Sequence, residues 1–70
     1  MIQRHLRQAR DHVASGEKLV EKQRAIVAKL AADGHRTDTA RRLLGQLEEV
    51  QAMHIADRDR LIDELARCAR

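Results

Sequence analysis

The segment Ala31-Ala32-Asp33-Gly34-His35-Arg36-Thr37-Asp38 divides the chain of 70 residues into two halves of similar length and decides its fold. Its first four residues have the pattern of a helix C-terminus, with glycine in the left-handed conformation just past the last turn. Either Thr37 or Asp38 suits the N-cap of a following helix, and Asp38 would also favour the positive end of the helix dipole. A connection of about three to five residues is typical of antiparallel helices. The sequence therefore predicts helix 1 over about 2–33, a turn at about 34–37 and helix 2 over about 38–69.

Mostly apolar and small residues recur at alternating steps of four and three on both sides of this turn. We call the two series the seams. In the first half the seam consists of Ile2, Leu6, Ala9, Val13, Gly16, Val20, Gln23, Val27 and Leu30. In the second half it consists of Ala40, Leu44, Leu47, Gln51, His54, Arg58, Leu61, Leu65 and Cys68. A period near 3.5 residues is the heptad pattern of helices that pack side by side, so the seams predict an all-α, antiparallel two-helix hairpin that forms one domain over 1–70.

Further apolar residues flank both seams, so each helix carries a stripe that is too wide for one neighbour to cover. A single core in a chain of this size rarely supplies enough stability alone, and oligomerisation is the usual remedy. The sequence therefore predicts that two hairpins bury their stripes together as a homodimeric four-helix bundle. The residues assigned to these contacts are Leu6, Val13, Leu19, Val20, Ile26, Val27, Leu43, Leu47, Val50, Ile55, Leu61, Ile62 and Leu65.

A break in helix 1 is the competing interpretation of the fold. Ser15 and Gly16 both weaken a helix interior, and a break at Ala14-Ser15-Gly16 would give a three-helix domain. The steps of the seam continue through these residues without interruption, which favours a single helix.

A polar layer interrupts the seam of helix 2, where leucine would be expected, at Gln51, His54 and Arg58. If the turn centres near residue 35, His54 lies opposite Gly16 and Asp57 lies near His12. The absent side chain of Gly16 would then leave room for the His54 imidazole. Buried polar layers fix the register of helical bundles when every group is hydrogen-bonded, here through a contact of Asp57 with His12 or Arg58. A purely structural role is therefore the first interpretation of this layer.

The same layer has a second interpretation as a ligand site. Helical bundles bind metals through inward-facing Glu and His side chains, and His12, His54 and Asp57 would supply such ligands from two helices. Gln51 stands where a di-iron site needs a bridging carboxylate, and no two histidines have the i,i+4 spacing that chelates a metal on one helix. No organic cofactor is predicted, so a metal ion is the one cofactor alternative. Protonation of the histidines, which would make the assembly pH-responsive, is a related hypothesis.

Catalysis and nucleic-acid binding have little support in the sequence. The chain has no Phe, Tyr or Trp on which to stack bases, and its three glycines are isolated rather than part of a phosphate-binding loop. Cys68 and Ser15 have no catalytic partners at a recognisable spacing, so the protein is predicted not to be an enzyme. The net charge is only +3, and acidic residues are interspersed among the basic ones, which argues against nucleic acid as a partner.

Two further expectations concern cellular location and role. No apolar run approaches the ~20 residues of a membrane span, and Met1–His5 lacks the apolar region of a signal peptide. One unpaired cysteine fits a reducing cytoplasm, and eleven Arg against three Lys is typical of a GC-rich bacterial genome. We therefore expect a cytoplasmic bacterial protein that self-associates and regulates or adapts a larger protein. The alternative is a bundle that binds a metal or small ligand at the polar layer.

Overall fold

The computed structural model describes residues 2–68, which form two antiparallel helices, α1 (Ile2–Ala32) and α2 (Asp38–Cys68). They pack side by side in a rod whose Cα extents are 57 × 14 × 14 Å. The all-α two-helix architecture is therefore confirmed. Because α1 runs unbroken through Gly16, the three-helix interpretation is wrong. The end that the sequence predicts for helix 2, at Ala69, lies outside the described residues.

The turn between the helices is a glycine C-cap. Gly34 has a φ of +76°, in the left-handed region that favours glycine. Its amide donates to the Ala31 carbonyl at 3.1 Å, and the His35 amide donates to the Leu30 carbonyl at 2.9 Å. These two bonds form a Schellman motif, which satisfies carbonyls at the end of α1. The chain therefore reverses direction directly after α1.

Thr37 occupies the N-cap of α2. Its carbonyl accepts the first helical hydrogen bond, from the Arg41 amide at 2.8 Å. Its hydroxyl accepts a second bond at 2.8 Å from Nε of the Arg41 side chain. Asp38 begins the helix, where its carboxylate lies at the positive end of the dipole. Of the two N-cap candidates in the sequence, Thr37 is thus the cap and Asp38 is the first helical residue.

The seams form the contact between the two helices. Every seam residue of α1 is buried or half-buried, and so is every seam residue of α2 except Cys68, which is exposed. The most buried side chains of the hairpin are Leu6, Ala9, Val20, Gln23, Val27 and Leu61. A cluster at the open end of the hairpin, opposite the turn, consists of Leu6, Ala9, Leu61, Ile2 and Leu65.

The residues that flank the seams stay exposed. Within residues 2–68 the large apolar side chains in this state are Leu19, Ile26, Leu43, Val50, Met53, Ile55 and Ile62. All except Met53 are among the predicted assembly contacts. The remaining predicted contacts instead lie in the seams and hold the hairpin itself together. Neither described helix is apolar enough over sufficient length to cross a bilayer.

The rod shape leaves more surface in water than is usual for a chain of this mass. The accessible area of the hairpin is 5702 Å². A typical folded monomer of 8.0 kDa exposes about 4,450 Å². Among the described residues, no side chain is less than 2% exposed. An isolated hairpin therefore exposes about 1,250 Å² more than the size of the chain requires.

Candidate functional site: a polar layer beside an apolar patch

The middle of the helix contact is polar, as the sequence predicts, but its residues pair differently. Gln51 donates from Nε2 to the Val13 carbonyl at 2.8 Å. A Cβ added to Gly16 would lie 1.8 Å from Oε1 of Gln51. The glutamine therefore fills the space over Gly16, and the prediction that His54 lies opposite Gly16 is wrong.

The register of the hairpin explains this difference. Gly16 and Gln51 face each other across a midpoint between Asp33 and Gly34, whereas the sequence predicts a turn centred near residue 35. The Schellman motif reverses the chain directly after α1. Each residue of α1 therefore faces a residue of α2 that lies earlier in the sequence than the predicted partner. His54 consequently lies beside His12.

His12 and His54 form a contact between the helices. Their ring centroids are 5.3 Å apart and their planes are tilted by 35°. His12 is exposed and His54 is half-buried. Nδ1 of His54 and Oε1 of Gln51 are both buried without a hydrogen-bond partner. This layer is therefore only partly satisfied by protein groups within one hairpin. Each unsatisfied buried polar atom costs about 1–3 kcal/mol.

Asp57 lies near His12, but its carboxylate is paired with an arginine. Oδ1 of Asp57 is 2.5 Å from a guanidinium nitrogen of Arg60. The hydrogen bond that Arg60 donates to Asp57 and the negative charge of Asp57, assisted by the charge of Glu64, raise the pKa of Arg60. Arg58 pairs instead with Asp59 at 3.0 Å. The expected pairing of Asp57 with His12 or Arg58 is therefore replaced by the Asp57–Arg60 pair.

A shallow depression surrounds His12, and we call it the histidine pocket. It has a volume of about 190 Å³ and is lined by His5, Gln8, Ala9, His12, Asp57, Arg60 and Leu61. Two of the three proposed metal ligands, His12 and Asp57, thus share one pocket, and the third, His54, contacts His12. Across residues 2–68, no group of three or more His, Cys, Asp or Glu side chains is arranged to hold a metal ion. For Asp57 to bind a metal ion at such a site, its carboxylate would have to break the ion pair with Arg60.

Exposed apolar residues lie on the same side of the hairpin as the histidine pocket. Residues seven apart share one face of a heptad helix. Leu19 and Ile26 follow His12 at this interval, and Val50 and Leu43 precede Asp57 at it. Since His12 and Asp57 line one pocket, all of these residues share one side. Met53, three residues after Val50, neighbours it on the helix surface. We define the apolar patch as Leu19, Ile26, Leu43, Val50 and Met53.

On the opposite side of the hairpin, an ion pair connects the two helices. A guanidinium nitrogen of Arg24 in α1 lies 3.1 Å from Oε2 of Glu48 in α2. Ile55 lines a groove with these two residues, which places it on their side. Ile62 follows Ile55 by seven residues and shares its face. Five of the seven exposed large apolar side chains in the described chain therefore lie on the side of the apolar patch.

Two glutamines link each helix to the backbone of the other. Gln23, only 8% exposed, donates from Nε2 to the Ala40 carbonyl at 2.9 Å. Gln51 makes the corresponding bond in the other direction, to Val13. Because each bond joins a side chain to one particular carbonyl, the pair fixes how the helices are aligned. The sequence contains this signal as two glutamines at seam positions, although it does not show which carbonyls they reach.

No protein-family model, curated protein or solved structure matches this chain.

Proposed function

We propose that this chain is a small, non-catalytic interaction protein that self-associates through its apolar helix faces into a four-helix bundle. The apolar patch is the observation that carries this proposal, because its five side chains are between 40% and 69% exposed on a single side. Burial of apolar surface contributes roughly 25 cal/mol per Å². A homodimer is the commonest closed assembly that would cover the patch.

The area available on one side of the rod agrees with a dimer. The Cα extents of one face, 57 × 14 Å, give a projected area of about 800 Å², which is comparable with the accessible area that one partner usually contributes to a stable interface. The surface that the isolated hairpin exposes beyond the norm, about 1,250 Å², is large enough to supply such an interface. Dimerisation through one side would therefore give each chain a more ordinary exposed area.

In this proposal the outer surface of the bundle acts as an adaptor, an inhibitor or a regulatory subunit for a larger protein. The surface opposite the apolar patch combines ion pairs with Ile55 and Ile62, a mixture typical of transient protein interfaces. The reducing bacterial cytoplasm is the proposed location, since Cys68 is a free, exposed thiol.

Solution mass tests the self-association directly. We expect sedimentation equilibrium at micromolar to millimolar concentrations to give about twice the 8.0 kDa of one chain. A single species with the mass of one chain at millimolar concentration would overturn the proposal.

A second candidate function is binding of a metal ion or small ligand at His12, His54 and Asp57. The contact between the two histidines, with Nδ1 of His54 unpartnered, is the observation that favours it. Imidazole nitrogens suit zinc, copper and nickel. Elemental analysis of the purified protein should then find stoichiometric metal that is lost in His54→Ala and retained in the control His35→Ala. Metal missing from the wild-type protein contradicts this function.

The same histidine pair makes a pH response testable. Protonation of the imidazoles at acidic pH would add positive charge to this layer, and such charge opposes assembly. Sedimentation at pH 7.5 and pH 5.0 should then give a lower mass at the acidic pH. An unchanged mass would count against this response.

A further inference from the structure

We propose that a second copy of this chain covers the apolar patch in a parallel orientation, with both turns at the same end of the bundle. A two-fold axis would then run along the length of the bundle. This inference rests on the self-association proposed above. It adds which side of the hairpin packs and in which direction the second copy lies.

The side that carries the apolar patch is divided along its length. In α1, Leu19 and Ile26 lie in the half of the helix that is nearer the turn. In α2, Leu43 and Val50 lie in the corresponding half, and Met53 lies at the middle. The other half of this side holds the histidine pocket, with its charged Asp57–Arg60 pair. One side of the rod therefore carries its exposed large apolar side chains toward the turn, beside Lys22 and Lys29, and its histidine pocket and ion pair toward the open end.

This division distinguishes a parallel from an antiparallel dimer when the two copies overlap along their whole length. In an antiparallel dimer, the apolar patch of each copy would cover Asp57 and Arg60 of the other. Water would be removed from these charges against a mainly apolar surface, which is unfavourable. In a parallel dimer, each patch lies against the other patch.

The polar halves are also compatible with the parallel orientation. Each copy presents both signs of charge there, through Arg60 and through the carboxylates of Asp57 and Glu64. Arg60 of one copy can therefore approach a carboxylate of the other, and like charges need not oppose each other.

Overlap of the patches alone, in an offset antiparallel dimer, would bury too little surface. Half of a 57 × 14 Å face is about 400 Å² per chain, or about 800 Å² in total, which is in the range of crystal-packing contacts. Full overlap in the parallel orientation buries about twice that area. Area and polarity thus favour the same arrangement.

The orientation can be measured with the native cysteine as the reporter. Cys68 is exposed at the open end of α2, so a nitroxide label can be attached to it. In the parallel dimer two labels lie at the same end, separated by the width of the bundle, about 30 Å. In either antiparallel dimer they are separated by a helix length of about 45 Å or more. Pulsed electron paramagnetic resonance distinguishes these distances.

A second label at the other end controls for mobility near the C-terminus. The variant Arg36→Cys in a Cys68→Ala background places the label in the turn. The parallel dimer predicts a short distance, again about 30 Å, for this label as well. A distance above about 45 Å at Cys68 overturns the parallel orientation, whatever the turn label shows.

The side that packs is tested by a matched pair of substitutions in α2. Val50 belongs to the apolar patch, Ile55 lies on the opposite side, and their exposures are similar at 46% and 38%. Val50→Lys should raise the dimer dissociation constant at least about 100-fold, because each dimer loses two buried valines. Ile55→Lys should change it less than about threefold, since the lysine remains in solvent. The opposite ranking would overturn the assignment of the side.

Folding and assembly failures are separable in this design. Lysine is a better helix former than valine or isoleucine, so both variants should keep the helical circular-dichroism signal. The label distances use unaltered helix faces and do not depend on either variant. A monomeric wild-type mass overturns the proposed function together with the orientation. A dimer with long label distances overturns the orientation alone.

Discussion

The side chain of Gln51 occupies the space that a side chain at position 16 would need. Oε1 of Gln51 would lie 1.8 Å from a Cβ at Gly16, while Nε2 of Gln51 donates to the carbonyl of Val13, which is in the same helix as Gly16. The absence of a side chain at Gly16 therefore allows Gln51 of α2 to donate a hydrogen bond to the backbone of α1 near the middle of the hairpin. Gly45, in the other helix, has no atom within 4 Å of its added Cβ and serves as a comparison.

These two glycines should respond differently to alanine. Alanine in a helix interior is more favourable than glycine by about 0.8–1 kcal/mol, and Gly45→Ala should raise the free energy of unfolding by about that amount. In Gly16→Ala the same gain is offset because Gln51 must move and lose a bond worth about 1 kcal/mol. Urea unfolding at matched protein concentration measures both. Equal stabilisation by the two substitutions would mean that Gln51 does not constrain position 16.

The contact between the helices was predictable from the sequence because it repeats. Steps of four and three identify the buried face of each helix, and the same steps identify Leu19, Ile26, Leu43 and Val50 as exposed flanking residues. Met53 was missed because it lies outside both the seam and the columns beside it. Its proximity to Val50, three residues earlier, is the only sequence signal for including it in the patch.

The pairing of the polar residues was not predictable, because it depends on the register of the hairpin. A heptad pattern shows which face is buried but does not fix the alignment of the two helices along their axes. The alignment here follows from the Schellman motif at Gly34 and from the bonds of Gln23 and Gln51. A shift of the midpoint by between one and two residues was enough to replace His54 with Gln51 opposite Gly16.

Replacing His54 with leucine should stabilise the hairpin. The substitution removes a buried Nδ1 that has no partner, and leucine fits the heptad position. We expect the free energy of unfolding to rise by about 1–3 kcal/mol in the presence of a chelator. The control His35→Ala, at an exposed residue, should change it by less than about 0.5 kcal/mol. A loss of stability in His54→Leu would contradict an unsatisfied Nδ1.

Gln23 should tolerate leucine but not alanine. Gln23→Ala leaves a space between the helices and removes the bond to Ala40, so we expect a loss of about 2 kcal/mol. Gln23→Leu keeps most of the volume, and the Ala40 carbonyl retains its helical hydrogen bond, so the change should be below about 1.5 kcal/mol. Thermal unfolding at a fixed concentration separates the two outcomes. Similar losses in both variants would make the hydrogen bond, rather than the packing, the dominant contribution.

The ion pair between Arg24 and Glu48 should contribute little, although it joins the two helices. Its side chains are 60% and 46% exposed, so water and salt screen the attraction. A double-mutant cycle of Arg24→Gln and Glu48→Gln should give a coupling energy of about 0.2–1 kcal/mol that falls in 0.5 M salt. Because the pair lies on the side opposite the apolar patch, neither substitution should alter the dimer mass. A coupling above about 2 kcal/mol would instead place the pair in a desolvated contact, and the second copy would then have to cover this side.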